Sequence, residues 1–253
     1  LFLLILIRLG TVKTDKVGLD RLHDIVPKRV KSQIFLLRSK LFEGKKNFVK
    51  SFDVDGVEHK FFKYYLNEEN KEVSKNKPTG FLQQFEKKII FVTGRGNFYL
   101  FDIKDLNKKK ISLNKINNNF LKLINYDKNF LAKGPLGIRD VKINNNKIFV
   151  SYQKKISENC YNLAIAKSDL KLNITELKFS DFFSYDECSL KKNEKAWAVL
   201  SGGRIVFKDN HIFYTIGEMA IKNISQDRNS YFGKIIKIDL NDPKSPEIIA
   251  KGL

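Results

Sequence analysis

The side chains best suited to catalysis or metal binding are scarce in this chain. It has three His, at positions 23, 59 and 211, and two Cys, Cys160 and Cys188. No two His have the i, i+4 spacing that would place both on one face of a helix. Two Cys are too few for a four-Cys zinc site or a disulfide scaffold. The sequence therefore predicts no metal centre built from His or Cys.

One glycine-rich segment has the composition of a phosphate-binding loop. It reads Thr93-Gly94-Arg95-Gly96-Asn97. Glycine loops that bind phosphate lie between a strand and the N-terminus of a helix. Here apolar, strand-like runs flank the segment on both sides, so the pattern predicts a hairpin turn.

The charge first suggests a nucleic-acid partner, because clustered Lys and Arg neutralise phosphates. The chain has 253 residues and a net charge of +19, from 47 Lys+Arg against 28 Asp+Glu. However, 39 of the basic residues are Lys, and they are scattered between runs of Asn. An AT-rich coding genome explains this composition, and a functional basic surface is the alternative. We expect no nucleic-acid partner. A hydrophobic content of 42% excludes a wholly disordered chain.

Residues 1–45 differ in pattern from the rest of the chain. Leu1–Leu9 is apolar except for Arg8, and it is shorter than the ~20 residues of a membrane-spanning helix. It is either the remnant of an export signal or anchor, or a buried element. Leu19–Phe42 has apolar residues at spacings of three and four with Lys and Arg between them, which predicts a basic amphipathic helix. Such a helix lies on anionic lipid or packs against the following domain. We expect a membrane tether here.

After residue 45 the pattern becomes that of β-strands. Short runs rich in Ile, Val, Phe and Tyr alternate with clusters of Asn, Gly, Asp and Lys that are typical of turns. Three stretches resemble one another, each with two strands joined by a tight turn and a further strand ending in Asp-Leu. They are Phe81–Leu106, Gly137–Leu170 and Gly203–Leu240.

The spacing of these stretches predicts a β-propeller. Their closing Asp-Leu pairs begin at residues 105, 169 and 239, which are 64 and 70 residues apart. A repeat of about four short antiparallel strands is one propeller blade. We therefore expect residues 46–253 to form an all-β, incomplete propeller of about three four-stranded blades, preceded by the N-terminal helix. Glu247–Ala250 reads as the first strand of another blade.

The second and third stretches resemble the glucose/sorbosone dehydrogenase family over about residues 134–253. The matching segments are Gly137–Val141, Ile148–Tyr152, Ser201–Phe207, Ile212–Glu218, Ser225–Asp227 and Asn229–Asp239. Members of this family are sugar dehydrogenases built on a six-bladed propeller. The resemblance implies pyrroloquinoline quinone (PQQ) and calcium as cofactors and a sugar or other small molecule as substrate. The residues themselves assign no metal ligand and no quinone contact.

The resemblance also implies which residues line the site. In the family, a His four residues before the Arg of the third stretch removes the proton of a sugar hydroxyl. That Arg is Arg204, so the position of the His is taken by Leu200. The acidic residue that orients the His is Glu218, and a polar position falls near Pro135. Two interpretations remain open. One is an oxidoreductase with Glu218 and Arg204 at its site, and the other is a non-catalytic exported propeller that binds a carbohydrate or protein and needs no cofactor.

Export follows from the family and from the apolar N-terminus. We expect the chain in the periplasm, or anchored to a membrane and facing the periplasm. In that oxidising compartment Cys160 and Cys188 can form a disulfide. Two free thiols are the alternative.

Overall fold

The computed structural model describes residues 46–54, 56–64, 80–94, 96–108, 111–124, 137–157, 160–187, 189–190, 200–219 and 221–251. The chain divides into two compact units, one of residues 1–69 and 105–112 and the other of residues 70–104 and 113–253. The apolar segment and the basic helix predicted for residues 1–45 lie outside the described residues. No helix within the described ranges is long and apolar enough to cross a membrane.

The first unit contains an antiparallel hairpin. Its strands are β1 (Lys46–Val54) and β2 (Val57–Tyr64). Gly56 has a φ of +79° in the turn, and its N–H donates a hydrogen bond of 3.0 Å to Oδ1 of Asp53. Asp and Gly in this arrangement are typical of tight turns.

The second unit contains three sheets, and the first has four antiparallel strands. These are β3 (Gly80–Phe85), β4 (Lys88–Thr93), β5 (Phe98–Asp102) and β6 (Asn114–Asn118). A 3₁₀ helix at Ile103–Asn107 follows β5, and the four-residue helix α1 (Phe120–Leu123) follows β6.

The second sheet runs in the order β11-β9-β8-β7. Its elements are β7 (Ile138–Asn144), β8 (Lys147–Ser157), β9 (Cys160–Asp169) and β11 (Ser180–Phe183). Two short strands accompany it, β10 (Glu176–Leu177), which pairs with β6 of the first sheet, and β12 (Ser189–Leu190), which pairs with β9.

The third sheet has four antiparallel strands in chain order. They are β13 (Gly202–Lys208), β14 (His211–Ile216), β15 (Lys234–Asp239) and β16 (Glu247–Lys251). A 3₁₀ helix at Ile224–Gln226 lies between β14 and β15.

Local sequence explains why these strands form hairpins. Asn145 and Asn146, between β7 and β8, have φ of 46° and 56°. Two-residue hairpin turns require positive φ, which Asn tolerates better than most residues. In β14 the residues Ile212, Tyr214 and Ile216 are buried and their neighbours are partly exposed. This period of two is the pattern of a strand with one face on a core.

The three sheets pack face to face through two hydrophobic clusters. The first joins the first and second sheets, with Ile90 and Phe98 on one side and Val141 and Tyr152 on the other. The second joins the second and third sheets, where Phe149 contacts Phe207 with ring centroids 5.0 Å apart. Neighbouring four-stranded sheets that bury each other's faces are propeller blades. The predicted all-β, partial propeller with three blades is confirmed.

One predicted strand has a different role. Glu247–Ala250 was expected to begin another blade, and this prediction is wrong. The segment lies in β16, the outer strand of the third sheet, where Lys237 pairs with Glu247 and Lys234 pairs with Lys251. Only a short polar turn separates it from β15, and such turns join neighbouring antiparallel strands.

Candidate active site

The start of β13 and the end of β14 are held together by backbone hydrogen bonds. The N–H of Gly217 donates to the carbonyl of Ser201 at 2.8 Å, and the N–H of Met219 donates to the carbonyl of Leu200 at 3.1 Å. A Cβ on Gly217 would lie 1.9 Å from the oxygen of Leu200. Only Gly permits this approach, which brings Leu200 and half-buried Glu218 to the same end of the third sheet.

Two glycines distort β13 just beyond this contact. Gly202 and Gly203 have φ of +71° and +96°, and the pairing of β13 with β14 shifts register between Gly202 and Ile205. A Cβ on Gly203 would lie 2.5 Å from Cβ of Arg139. The bulge therefore lets the third sheet approach β7 of the second, and it re-aims the residue that follows, Arg204.

A buried carboxylate joins the two sheets at this point. Asp140, 4% exposed, accepts hydrogen bonds of 2.9 Å from the N–H groups of Val141 and Ile205. Nη1 of Arg204 lies 3.8 Å from Oδ1 of Asp140, and its side chain is 69% exposed. Asp140 thus holds the bulge of β13 in place and pairs with Arg204, whose side chain is largely exposed.

A second arginine was not singled out by the sequence. Arg139 lies in β7 next to Asp140, at a position where the family pattern has Leu. Burial lowers the pKa of Arg139 to about 10, and nearby Tyr214 partly offsets this effect. Arg139 is therefore charged at neutral pH. The sequence offers no signal for it, because Arg139 adjoins charged Asp140 and a charged residue on a strand is usually exposed.

Tyr214 is the other large polar side chain between the two sheets. Its OH lies 2.8 Å from Oγ of Ser151 and donates a weaker hydrogen bond of 3.4 Å to the carbonyl of Ala164. Burial raises the pKa of Tyr214 well above its ordinary value, although Ser151 and Arg139 act in the opposite direction. The phenol stays protonated at neutral pH, so it supports the junction of the sheets and is not a proton acceptor.

The sequence of residues 87–247 matches the glucose/sorbosone dehydrogenase family, and this segment is more than half of the chain. The chain belongs to the glucose/sorbosone dehydrogenase family. No curated protein sequence matches it.

Solved structures of this kind resemble the chain at low identity. The apo-form of the soluble aldose sugar dehydrogenase from Escherichia coli is 17% identical, with a TM-score of 0.46, over 63% of this chain and 43% of that one. The PQQ-bound aldose sugar dehydrogenase from Streptomyces coelicolor is 14% identical, with a TM-score of 0.46, over 67% of this chain and 47% of that one. The chain therefore spans about half the length of these structures.

In this member of the glucose/sorbosone dehydrogenase family, Leu200 is the residue that the resemblance sets at the position of the family's His. Its apolar side chain is 45% exposed. His211 does not replace the missing His, because it lies at the opposite end of β14, with Nε2 3.7 Å from Oδ2 of Asp239. Pro135 lies outside the described residues.

The residues of the site fit one of the two implied cofactors. PQQ is a planar quinone with three carboxylates, and an exposed guanidinium such as that of Arg204 binds carboxylates well. Calcium prefers six to eight oxygen ligands, commonly from several carboxylates. Within the described ranges, no group of three or more His, Cys, Asp or Glu side chains is close enough to hold a metal ion. Arg204 therefore fits an anionic quinone, and the described side chains assign no calcium ligand.

Two other candidate segments are placed away from this site. Thr93–Asn97 joins β4 to β5, and the N–H of Gly96 donates to the carbonyl of Thr93 at 3.0 Å, which confirms the predicted hairpin turn. Cys160 is buried and disulfide-bonded. Cys188 lies outside the described residues, so its pairing with Cys160 stays a prediction. Leu190, two residues further on, pairs with Cys160 in the sheet.

Proposed function

We propose that this chain belongs to a quinone-dependent oxidoreductase that oxidises a sugar hydroxyl, with Glu218 as proton acceptor and Arg204 as anion-binding residue. The observation that carries this proposal is the contact between the Leu200–Ser201 and Gly217–Met219 segments. It supports the proposal because Glu218 lies between Gly217 and Met219, whose N–H groups bond the backbone of Ser201 and Leu200.

The chemistry requires a base at this place. When a C–H hydrogen of a sugar alcohol leaves as hydride, the hydroxyl proton must leave as well, and a positioned base accelerates the step. Leu200 cannot accept a proton. The carboxylate of Glu218 can, although a carboxylate is in general a weaker base than an imidazole. We therefore expect slow oxidation.

The cofactor would be held through its charge. Arg204 is the residue that would bind a carboxylate or quinone oxygen of PQQ, and the half-buried charge of Arg139 nearby adds to the positive potential. When bound, the quinone supplies the two-electron acceptor. Asp140 fixes the backbone of Ile205 and so keeps Arg204 at the end of the bulge.

A second candidate function is a non-catalytic propeller that binds a carbohydrate or a protein partner at the same end of the sheet. The exposed Leu200 favours it, because an apolar side chain in place of the base contacts a ligand without taking its proton. Aliphatic and aromatic side chains commonly line sites for small molecules.

We also propose that the chain is exported to the periplasm, either free or tethered by its N-terminus. The disulfide bond of Cys160 supports this location, because disulfides persist in oxidising compartments. Mass spectrometry of the alkylated protein tests it. Without reductant we expect no alkylated Cys and a Cys160–Cys188 cross-linked peptide, and alkylation of both Cys in protein purified from its native host would contradict export.

The main experiment combines binding with turnover. PQQ is titrated into the protein with and without calcium, and reduction of a redox dye is followed with a panel of aldoses. We expect PQQ binding, slow dye reduction, and a further loss of turnover in Glu218→Gln. The matched control is Glu247→Gln. It removes a carboxylate that lies 3.2 Å from Nζ of Lys237 and is distant in sequence from the site. Sugar binding without PQQ binding or turnover would favour the non-catalytic function.

A further inference from the structure

A fully buried lysine lies at the end of the loop that joins β14 to β15. Lys234 begins β15 and is 0% exposed. Its ammonium donates hydrogen bonds to the carbonyls of Ile224 at 3.3 Å, Ser225 at 2.8 Å and Phe232 at 2.9 Å. An ammonium has three N–H donors, and this cage of three carbonyls uses all of them.

The charge is costly to bury, so the cage needs a reason. Burial lowers the pKa of Lys234, while the carboxylates of Asp227 and Glu187 raise it and Lys251 lowers it further. The next inward positions of β15 are Ile236 and Ile238, both fully buried. An aliphatic residue would therefore continue the buried face of this strand without any cost of desolvating a charge. What an aliphatic side chain cannot do is bind the three carbonyls.

These carbonyls belong to a loop that is strained on its own. Met219 and Asn223 have φ of 52° and 65°, in the left-handed region, which Asn tolerates but which a residue such as Met adopts at a cost. Such conformations persist only where surrounding contacts hold them. Two further hydrogen bonds hold this loop at other points. The N–H of Met219 donates to the carbonyl of Leu200, and the N–H of Tyr231 donates to the carboxylate of Glu187 at 2.8 Å.

A continuous series of hydrogen bonds leads from Lys234 back to Glu218. The ammonium bonds the carbonyl of Ile224, whose N–H donates to the carbonyl of Ile221 at 3.3 Å. The N–H of Ile221 in turn donates to the carbonyl of Glu218 at 2.9 Å. Two consecutive turns thus connect the carbonyl cage with the candidate proton acceptor.

We propose that Lys234 is a positioning residue, a built-in cation whose ammonium fills the carbonyl cage and holds the loop that carries Glu218. The cage is accordingly a cation site, and without the lysine side chain it would bind a free primary ammonium ion. The link to catalysis rests on the proposed function of Glu218. The carbonyl cage and its effect on the loop do not depend on that function.

Hydrogen exchange of the full chain tests the effect on the loop. In Lys234→Met, we expect the amides of Ile221 and Ile224 to lose protection by roughly 10- to 100-fold, the factor that corresponds to one charged hydrogen bond. The amide of Ile236 should change much less. The matched control is Lys237→Met, on the same strand, whose ammonium pairs with Glu247 near the surface. Equal losses in loop and strand amides, or equal effects of the two variants, would overturn the proposal.

A second variant tests the cation site itself and does not depend on the stability of the first. Lys234→Ala is refolded with ethylammonium or with tetramethylammonium, which has the same charge but no N–H donor. We expect ethylammonium alone to raise the folded yield and to restore protection of Ile221 and Ile224. No difference between the two ions would overturn the cation site.

Activity then separates this inference from the proposed function. If both hold, Lys234→Ala loses dye reduction and regains it with ethylammonium. If loop protection responds to ethylammonium while Glu218→Gln leaves turnover unchanged, the cage stands and Glu218 is not the proton acceptor. If Glu218→Gln abolishes turnover and loop protection does not respond, the proposed function stands and this inference is wrong.

Discussion

The two ends of the β13–β14 hairpin differ in what their polar groups can do. At the turn, His211 and Asn210 both contact the partly exposed carboxylate of Asp239, at 3.7 Å and 3.1 Å. At the open end, buried Asp140 binds backbone N–H groups, and Gly217 lets Glu218 lie beside Leu200. The turn has the residue type that is more versatile in proton transfer, His211, and the open end has the buried carboxylate and the close backbone approach.

The difference shows that residue type is a weaker guide to a site than burial and backbone geometry. Charges at the turn are screened by water, so their interactions are small. A buried carboxylate between two sheets lies in a medium of lower dielectric constant. Its hydrogen bonds are therefore stronger, and water cannot take their place when the carboxylate is removed. The predictions below test this contrast, beginning with the largest expected effect.

Restoring a base at the open end should have the largest effect. In Leu200→His we expect dye reduction with an aldose to rise by about 10²–10⁴-fold, the usual contribution of a general base. The control Val206→His places the same side chain at another exposed position of β13, where Val206 is 59% exposed. It should leave the rate unchanged. Equal rates in both variants would show that the open end is not a catalytic site.

Adding one methyl group at the close approach should be the next largest effect. In Gly217→Ala the Cβ would meet the carbonyl of Leu200 at 1.9 Å, so the backbone must move. We expect a loss of about 3 kcal/mol in the free energy of unfolding, measured with urea. In Gly80→Ala the nearest atom is a ring carbon of Phe91 at 2.7 Å, and that ring can turn. A loss no larger than that of Gly80→Ala would contradict the tight contact.

Removing the carboxylate between the sheets should have a smaller effect. Asp140→Ala leaves the buried N–H groups of Val141 and Ile205 without their acceptor, which costs about 2 kcal/mol. The same change at the turn, Asp239→Ala, should cost less, because water replaces the lost contacts. Urea unfolding of both variants measures the difference, and equal losses would remove the contrast between the two ends.

The smallest effect should be the pH dependence of the turn. Hydrogen bonds from the backbone of Asn241 and Asp242, and the nearby His211 and Lys237, hold the pKa of Asp239 below its ordinary value of 3.8. A depressed pKa stabilises the fold above pH 3.8, and this contribution is lost as the pH falls below it. Wild type should therefore have a slightly higher Tm than Asp239→Asn at neutral pH, and the two values should converge in strong acid. A Tm difference that grows on acidification would contradict this assignment.

Much of the fold follows from local patterns in the sequence. Alternation of apolar residues and pairs such as Asn145-Asn146 specify individual hairpins, because strand pairing across a two-residue turn is a local interaction. The spacing of the repeats then predicts blades, and the match to residues 87–247 agrees with the resemblance of the second and third stretches. Short outer strands escaped this reasoning. β11, for example, has four residues and forms the edge of the second sheet, where it pairs with β9.

The candidate site was less predictable, because its contacts join residues far apart in the chain. Asp140 and Ile205 are separated by 65 residues, as Ser151 and Tyr214 are by 63. The resemblance pointed to Arg204 and Glu218, and the structure places both at one end of the third sheet. It did not single out Arg139, since nothing in a single sequence tells that a charged residue on a strand will be buried.

The amino-acid sequence alone determined the hairpins, the repeat and the family, because these depend on residue types at short spacing. Only the tertiary structure decided that Met219 bonds the backbone of Leu200, that Asp140 joins two blades and that Lys234 is buried among carbonyls. Those facts depend on how sheets stack and loops close. Residue type alone suggests that a lysine such as Lys234 is exposed, and only the structure shows that three carbonyls of the preceding loop, those of Ile224, Ser225 and Phe232, accept hydrogen bonds from its ammonium.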